Sequence, residues 1–458
     1  MSNAIVLHAL GEAGRQPVLP FEIALPDGSW LTFTQLLRLL PGRRLSGVAL
    51  WNGQKVFAKL FVGKDALRHG ERERAGLAAL RAASLPTPVV LFAAPVDEDG
   101  YLLISEYLDG AVALDAQPMA AGDLQALMPA MALLSQLHAA GLVHRDLHLG
   151  NFLRHCNRLL LIDGDGVRSG ATATAQAENL ALFLAQLTPD WDAWQGDLLQ
   201  AYARPVDVAG LGSAIDAARQ RRLRHFLEKT VRDCSQFAVE RNFHRFTAVL
   251  RGEQEALQPL LADPDAAMAA GRLLKDGGTC TVAAVELGCR TLVVKRYNIK
   301  GWRHALSRAW RPSRALHSWR AAHRLTFYGI ATPRPLALIE ERVGPLRRRA
   351  FLVTEHCPGA NLLDSLDPAR EPSAIQEKAL RQLFRSLYRL RISHGDLKAT
   401  NLRWHDGKIV LIDLDALIEH ASQHRFIRAW KRDRLRLMRN WPKGSPLANW
   451  FDNMLPAA

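Results

Sequence analysis

Two short stretches carry most of the structural information in this chain: HRDLHLGN, from His144 to Asn151, and LLLIDGD, from Leu159 to Asp165. The chain contains the same pair again as HGDLKATN, which ends at Asn401, and VLIDLD, which ends at Asp415. In each copy the aspartate of the first stretch precedes its asparagine by five residues and the aspartate after the apolar run by seventeen. Chance rarely produces two matches at identical spacing, so the sequence predicts a duplicated unit.

These residue types, in this order, suit phosphoryl transfer from a nucleotide. Such transfer needs an aligned acceptor hydroxyl and neutralised phosphate charge, the latter chiefly through Mg²⁺. The first aspartate of each copy, Asp146 or Asp396, is the candidate general base for the hydroxyl proton. The candidate ligands for Mg²⁺, which prefers hard oxygen donors, are Asn151, Asp163, Asn401 and Asp413. Order and spacing match the motif set known from protein kinases.

Strands are expected just before the metal aspartates and further upstream in each copy. The apolar runs Leu159–Ile162 and Ile409–Ile412 predict buried strands that position the carboxylates. Earlier in each copy, Lys59 lies in VFAKLF and Lys295 lies in TLVVKRY. Both lysines are candidates for contacting the nucleotide phosphates.

Active kinases orient this lysine with a glutamate from the next helix. The stretch RHGERERAGLAALRAASLPTP predicts such a helix and supplies Glu71 and Glu73, of which Glu73 has the better helical register. Aligning the Thr-Pro dipeptides of the two copies places Ser318 opposite Glu73, and no Asp or Glu occurs between Lys295 and Glu340. We therefore expect the second copy to lack the usual ion pair.

The two copies should consequently differ in turnover. Only the first can orient its lysine in the usual way, so the first site is predicted to be faster and the second to be slow or chiefly to bind. Lys398, in DLKATN, is a compensating candidate that could contact the transferring phosphate where the first copy has His148.

The nucleotide base is expected next to two hinge segments. YLLISEYLDG and FLVTEHCPG each predict a strand that ends before a turn, at Glu106 to Leu108 and at Glu355 to Cys357. Glycine-rich phosphate loops are weakly marked, because the glycines before each lysine lack the full kinase spacing. Those glycines, which fit a phosphate cradle or an ordinary hairpin turn, are Gly42, Gly47, Gly277 and Gly278.

The chain resembles the bacterial lipopolysaccharide core kinases, kinase-like enzymes that phosphorylate heptose or Kdo sugars of the inner core. In the second half the resemblance rests on VVKRYNIKGWRHALSRAW, RPSRALHSWRAAHRL, GIATPRPLALIE, RRRAFLVTEH, SHGDLKATN and VLIDLDAL. In the first half it rests on LPGRRLSG, Lys59, LPTP, HRDLHLGN and LLLIDGD. It covers most of residues 38–440 and departs from the family at Ser318, where many members carry glutamate. It implies ATP and Mg²⁺ as cofactors.

The resemblance implies an α+β chain of two tandem protein-kinase-like domains, each with a small β-rich N-lobe and a mostly helical C-lobe. The 458 residues allow two or three domains. The boundary is predicted within the Ala-, Pro- and Asp-rich stretch LQPLLADPDAAMAAG, and residues 179–251 are expected to be helical. The predicted ranges are 1–262, with lobes 25–108 and 109–262, and 263–458, with lobes 270–356 and 357–458.

A small-molecule acceptor is favoured over a protein. Protein kinases carry an activation segment and an Ala-Pro-Glu anchor after the metal aspartate. Here the apolar helical run ENLALFLAQL begins fifteen residues after Asp163. The expected acceptor is a sugar of the lipopolysaccharide core oligosaccharide on its lipid carrier. A kinase for a protein or another small molecule, and a protein in which one copy only docks substrate or partners, remain alternatives.

Five scattered cysteines without Cys-x-x-Cys spacing, and no signal peptide, predict a cytoplasmic protein. The net charge is +14, and basic residues with tryptophans lie between Arg296 and Arg314, while eight basic residues lie between Arg425 and Lys443. Such segments suit anionic lipid, nucleic acid or solvent. Since no nucleic-acid motif accompanies the charge, we expect peripheral contact with the inner face of the cytoplasmic membrane, with a solvated face as the alternative.

Overall fold

The computed structural model describes residues 3–116, 119, 121–298, 312–344 and 346–456. Close packing divides the chain into two compact units. The first unit comprises residues 1–187 and 191–220, and the second comprises residues 188–190 and 221–458. Each unit contains one copy of the motif set and mixes helices with strands, so the predicted α+β class is confirmed.

The first unit begins with helix α1 and a six-stranded antiparallel sheet. The strands are β1 (Phe21–Ala24), β2 (Trp30–Leu40), β3 (Arg44–Trp51), β4 (Gln54–Val62), β5 (Val90–Asp97) and β6 (Gly100–Glu106). They are hydrogen-bonded in the order β1-β2-β3-β4-β6-β5. The helices of this part are α1 (Asn3–Glu12) and α2 (Ala66–Ala82).

The rest of the first unit is mostly helical. Its helices are α3 (Leu124–Ala139), α4 (Ala173–Leu184), α5 (Gln195–Tyr202) and α6 (Val208–Lys229), the last of which continues into the second unit. Short strands surround the motif set. They are β7 (Val112–Ala113), β8 (Val143–His144), β9 (Phe152–His155), β10 (Arg158–Leu161) and β11 (Val167–Arg168).

The second unit has a seven-stranded antiparallel sheet. Its strands are β12 (Phe237–Arg241), β13 (Arg245–Leu250), β14 (Arg272–Gly277), β15 (Cys280–Leu287), β16 (Arg290–Tyr297), β17 (Pro335–Val343) and β18 (Leu346–Glu355). The order is β12-β13-β17-β18-β16-β15-β14. Read in reverse, the order β14-β15-β16-β18-β17 corresponds to β2-β3-β4-β6-β5 of the first unit. The two units therefore share a five-stranded arrangement and extend it at opposite edges.

The helical part of the second unit surrounds the second motif set. Its helices, with the two short ones before β14, are α7 (Gln258–Ala262), α8 (Pro264–Ala270), α9 (Arg314–Phe327), α10 (Leu362–Ser365), α11 (Ala374–Arg389), α12 (Gln423–Met438) and α13 (Pro446–Met454). Its short strands are β19 (Ala360–Asn361), β20 (Ile392–Ser393), β21 (Leu402–His405), β22 (Lys408–Leu411) and β23 (Ile418–Glu419).

We predicted the boundary between the units at residues 262 and 263. In the structure the division falls at residues 220 and 221. The reason is the hairpin of β12 and β13. Strand β13 pairs with β17 from Arg245–Glu341 to Val249–Ala337, which joins the hairpin to the second sheet. The expectation that residues 179–251 are helical is therefore wrong for this hairpin.

Among the described residues, no helix has the length and apolar character needed to cross a bilayer. The five cysteines are unpaired. Most of the first basic segment, including Trp302 and Trp310, lies outside the described residues.

Candidate active sites

Strand alternation determines where each candidate lysine points. In β4, Ala58 and Leu60 belong to the core on one face of the sheet, so Lys59 and Phe61 lie on the other face, towards α2. In β16, Leu292 and Val294 likewise belong to one core, which places Lys295 on the opposite face, the side on which α9 packs. The same register therefore aims both lysines towards the metal aspartates.

In the first unit, one lysine joins two carboxylates. Lys59 Nζ is ion-paired with Glu73 and lies 3.2 Å from Asp163 Oδ1. Glu73 is fully buried on α2, and its second oxygen accepts a hydrogen bond of 3.0 Å from the backbone N–H of Asp165. The structure thus brings together three residues that the sequence analysis selected from separate stretches.

The electrostatics of this cluster favour an ionised Asp163. Burial by itself would raise the pKa of the Asp163 carboxyl, but Lys59 and Arg44, 3.9 Å away, keep this pKa well below its usual value. Burial is also the largest influence on Glu73 and raises its pKa. Asp163 is therefore the carboxylate that retains its charge over the wider pH range.

Hydrogen bonds to backbone carbonyls join the candidate catalytic stretch of the first unit to its candidate metal aspartate. His144 Nε2 lies 2.7 Å from the carbonyl oxygen of Asp163, and the N–H of Ile162 donates to the carbonyl of Asn151 over 2.8 Å. The side chain of Asn151 accepts from the N–H of His148. Asp146 is exposed and makes no hydrogen bond or ion pair with any residue that the structure describes. Its carboxylate is therefore accessible to an acceptor.

The second unit repeats the backbone arrangement with different side-chain partners. The N–H of Ile412 donates to the carbonyl of Asn401 over 3.0 Å, matching the first unit. Lys295 Nζ lies 2.5 Å from Asp413 Oδ1 and 2.9 Å from Asp415 Oδ2. Ser318 is the α9 residue aligned with Glu73, and the described ion-pair partners of Lys295 include no residue of α9, in line with the expectation that the second copy lacks the usual ion pair. The loop that carries Asp413 supplies Asp415 instead.

The candidate base of the second unit is surrounded by cations. Asp396 Oδ2 lies 3.0 Å from Lys398 Nζ, and its Oδ1 is ion-paired with Arg436 of α12. Asn401 donates from its side chain to the Asp396 carbonyl over 2.9 Å. Burial would raise the pKa of Asp396, but Lys398 and Arg436 lower it below its usual value. The structure therefore brings Lys398 to the base itself.

Two buried side chains that sequence reasoning missed hold the candidate catalytic stretches in place. In the first unit, Asn179 accepts from the N–H of His144 and donates to its carbonyl over 2.7 Å. Asn179 also lies 3.1 Å from His138, whose pKa burial lowers to about 4. In the second unit, Asp433 accepts from the N–H groups of His394, over 2.6 Å, and Gly395. Both residues stand in helices that follow the motifs, where Asn179 comes directly after Glu178 and Asp433 lies between Arg432 and Arg434, so nothing in the sequence marks them as buried.

Asp433→Ala is expected to destabilise the second unit by about 1.5–3 kcal/mol, because two backbone donors would lose a charged acceptor in the interior. Urea unfolding at pH 7 would measure the loss. Asp433→Asn, which keeps an acceptor oxygen, should lose clearly less. Equal losses from the two variants would contradict this role.

The hinge acids contact protein rather than open space. Glu106, the last residue of β6, accepts from the N–H of Val89 through its side chain over 2.8 Å. Glu355, the last residue of β18, is ion-paired with Arg290 at 3.2 Å and Arg334 at 3.5 Å. Contact between a purine and the backbone of these hinge segments stays a prediction.

Of the weakly marked glycines, three lie at hairpin turns and Gly47 lies within a strand. Gly42 stands in the turn between β2 and β3 with a φ of +64°, and Gly277 ends β14 next to Gly278. Gly47 lies within β3, where a Cβ atom would meet the Gln35 carbonyl oxygen at 2.0 Å. Gly47 therefore serves the packing of strand on strand. The turns are ordinary hairpin connections in form.

The donor set suits Mg²⁺. Each unit offers one aspartate and one asparagine with hard oxygens, Asp163 with Asn151 and Asp413 with Asn401. Among the described residues, no cluster of three or more His, Cys, Asp or Glu could bind a metal ion by itself. Mg²⁺ typically uses one or two protein ligands together with substrate phosphates, so this small set fits it. Asp163 and Asp413 also share a left-handed backbone, with φ of 73° and 60°, a conformation that costs energy and clusters at functional sites.

Fold and site together define a protein with two kinase-like units. The sequence profile of the lipopolysaccharide kinase (Kdo/WaaP) family matches residues 65–202 and 271–450, more than half of the chain. The chain therefore belongs to this family, and the resemblance described above is confirmed.

Two curated relatives match shorter segments. A 3-deoxy-D-manno-octulosonic acid kinase of Mannheimia succiniciproducens is 30% identical over 136 residues, which cover 29% of this chain and 55% of the relative. The RIO-type serine/threonine-protein kinase Rio1 of Haloferax volcanii is 31% identical over 107 residues, which cover 22% of this chain and 33% of the relative. The chain thus spans about half of the first relative and a third of the second.

Two solved structures are similar to part of the chain. A structure described as WaaP in complex with acyl carrier protein has 20% identity and a TM-score of 0.32, and the match covers 41% of this chain and 88% of that one. A structure of vaccinia related kinase 3 has 13% identity and a TM-score of 0.28, with 37% and 60% covered.

Proposed function

We propose that this protein is an ATP-dependent phosphotransferase that phosphorylates a sugar hydroxyl of the lipopolysaccharide inner core. The observation that carries the proposal is the cluster of Lys59, Glu73 and Asp163, joined by backbone hydrogen bonds to the stretch that bears Asp146. Membership of the lipopolysaccharide kinase family supports the sugar acceptor.

Each residue of the first unit has a defined task in this proposal. Lys59, oriented by Glu73, contacts the nucleotide phosphates, and Asp163 with Asn151 would bind Mg²⁺, which neutralises phosphate charge when bound. Asp146 accepts the proton of the sugar hydroxyl as that oxygen attacks the terminal phosphorus. The left-handed backbone at Asp163 turns the chain sharply after β10, so that the carboxylate faces Lys59 across the site.

The proposal is tested by the phosphate content of core oligosaccharide. Mass spectrometry of oligosaccharide from cells with and without the gene should show one phosphate fewer per molecule in its absence. Purified protein with ATP should restore that phosphate to the unphosphorylated oligosaccharide. Unchanged phosphate content, together with no transfer in vitro, would refute the sugar acceptor and leave the protein-kinase alternative.

We further propose salt-sensitive, peripheral binding to anionic membranes. Most basic side chains of α12 and the following turn, from Arg425 to Lys443, are exposed, whereas Asp433 is buried. Trp430 and Trp441 are buried in the core, so this tail presents charge without exposed indole rings. Attraction should therefore be electrostatic and weaken as salt shortens the screening length to about 10 Å at 0.1 M.

Sedimentation with vesicles tests this prediction. We expect pelleting with anionic vesicles at low salt, release at higher salt, and none with neutral vesicles. Arg428→Glu with Arg432→Glu should weaken pelleting several-fold. The charge-matched control is Arg221→Glu with Arg224→Glu on α6, two exposed positions outside the tail. Equal pelleting with both vesicle types would rule out the electrostatic mechanism.

A further inference from the structure

We propose that Asp415 replaces the helix glutamate in the second unit and positions Lys295 for nucleotide phosphates. In the first unit this task falls to Glu73 of α2. In the second unit it has moved to the loop after β22, two residues beyond the metal aspartate. The inference rests on the proposed nucleotide site of the second unit.

The contacts of Asp415 resemble those expected of a positioning carboxylate. Its Oδ2 lies 2.9 Å from Lys295 Nζ and 2.6 Å from the guanidinium of Arg314. Its Oδ1 accepts hydrogen bonds from Tyr297 over 2.6 Å and from Ser318 over 2.7 Å. Its side chain is only 13% exposed. Four donors from β16 and α9 therefore fix both oxygens of one carboxylate beside the lysine.

Ser318 links the helix position of Glu73 in the first unit to the loop carboxylate of Asp415 in the second. It stands at the helix position of Glu73, is buried, and donates to Asp415. The Ser318 hydroxyl thus holds the Asp415 carboxylate, which performs the role that the residue at this helix position has in the first unit. Tyr297 and Arg314 add further support, on the strand of the lysine and at the start of α9.

Packing explains why the carboxylate comes from the loop. In the first unit α2 approaches the metal loop closely, since a Cβ on Gly76 would meet the Gly164 carbonyl oxygen at 1.9 Å. In the aligned positions the second unit has Ala321 and Leu414, both buried in its core. These larger residues prevent α9 from approaching the loop after β22 as closely as α2 approaches the corresponding loop of the first unit. We infer that an aspartate on the loop therefore does what a glutamate on the helix does in the first unit.

The first unit offers a matched contrast. Asp165 is the counterpart of Asp415, but its carboxylate is ion-paired with Arg72 at 2.9 Å. The role of Asp165 beside Glu73 is played by its backbone N–H, which Asp165→Asn would retain. Asp165→Asn should therefore leave the positioning of Lys59 unchanged, whereas Asp415→Asn should disturb that of Lys295.

An acyl-phosphate derivative of ATP provides a readout for each site in the full-length protein. A lysine beside the bound phosphates attacks the acyl carbon and expels the nucleotide phosphate, leaving a labelled amine. Peptide mass spectrometry then quantifies labelling of Lys59 and Lys295 separately, with excess ATP as competitor. We expect Asp415→Asn to lower ATP-competed labelling of Lys295 by about 10²-fold, the scale of a misplaced reacting group, and to leave Lys59 unchanged. Asp165→Asn should change neither.

The rescue variant is Ser318→Glu combined with Asp415→Asn. Because Ser318 Oγ lies 2.7 Å from Asp415, a glutamate there can place its carboxylate near Lys295. Restored Lys295 labelling would support the positioning role and exclude a role of Asp415 solely as a metal ligand. If Asp415→Asn unfolds the second unit, the rescue variant decides, since a folded rescue variant without labelling overturns the inference.

The remaining outcomes separate this inference from the proposed function. Wild-type protein without ATP-competed labelling of Lys295 would refute nucleotide binding in the second unit and the inference with it. If Lys295 is labelled in Asp415→Asn as strongly as in the wild type, the inference alone is overturned. The proposed nucleotide site of the second unit is then unaffected.

Discussion

Alanine at both Asp163 and Asp413 is expected to abolish the thermal stabilisation that Mg-ATP gives to this protein. Each carboxylate lies within 3.2 Å of the candidate phosphate-binding lysine of its unit, so each would bridge metal and nucleotide. A ligand that binds only the folded state stabilises it by about 2.7 kcal/mol at a hundred times its Kd. Asp163→Ala should remove this gain from the first unit and Asp413→Ala from the second, and the double variant should show none.

Thermal unfolding with and without Mg-ATP measures the effect, and each variant is compared with itself, since removal of an ion-paired, partly exposed carboxylate also alters intrinsic stability. Asp197→Ala, at an exposed position of α5, controls for the loss of an acidic residue. Full stabilisation of the double variant would show that nucleotide binds elsewhere or not through these aspartates.

Much of each kinase-like unit follows from local sequence. Alternating burial in β4 and β16 and the helical spacing around Glu73 are properties of short segments, and the apolar runs before Asp163 and Asp413 do form strands. The hairpin of β12 and β13 is different. It follows a long basic helix and pairs with β17 about ninety residues later, so nothing within its own sequence indicates which sheet it joins.

The site shows the same limit. Lys59, Glu73 and Asp163 could be selected because each lies in a motif with characteristic spacing. Asp415 could not, since its role depends on the distance of a helix from a loop. A signal was present in retrospect, because the second copy lacks the helix glutamate and also replaces Gly164 by Leu414. Arg436 lies forty residues after Asp396, and only the packing of α12 brings them together.

The last prediction concerns which unit transfers phosphate. Asp146→Ala is expected to lower transfer to core oligosaccharide by about 10²–10⁴-fold, the usual contribution of a general base, whereas Asp396→Ala should change it only a few-fold. Asp146 is exposed and has no ion-pair partner in the described part of the chain. Asp396 has its oxygens engaged by Lys398 and Arg436, which lower its pKa and make it a weaker base.

Rates of transfer and of ATP hydrolysis for the two variants provide the comparison, and a third variant tests the cause. If Arg436 restrains the second site, Arg436→Gln in the Asp146→Ala protein should raise the residual transfer, because the freed carboxylate regains basicity and access. If instead Asp396→Ala abolishes transfer while Asp146→Ala leaves it intact, the order is reversed. The working kinase would then be the second unit, which the family profile matches over the longer range. Arg436 and Lys398 would in that case act on the phosphate or the acceptor rather than restrain the base.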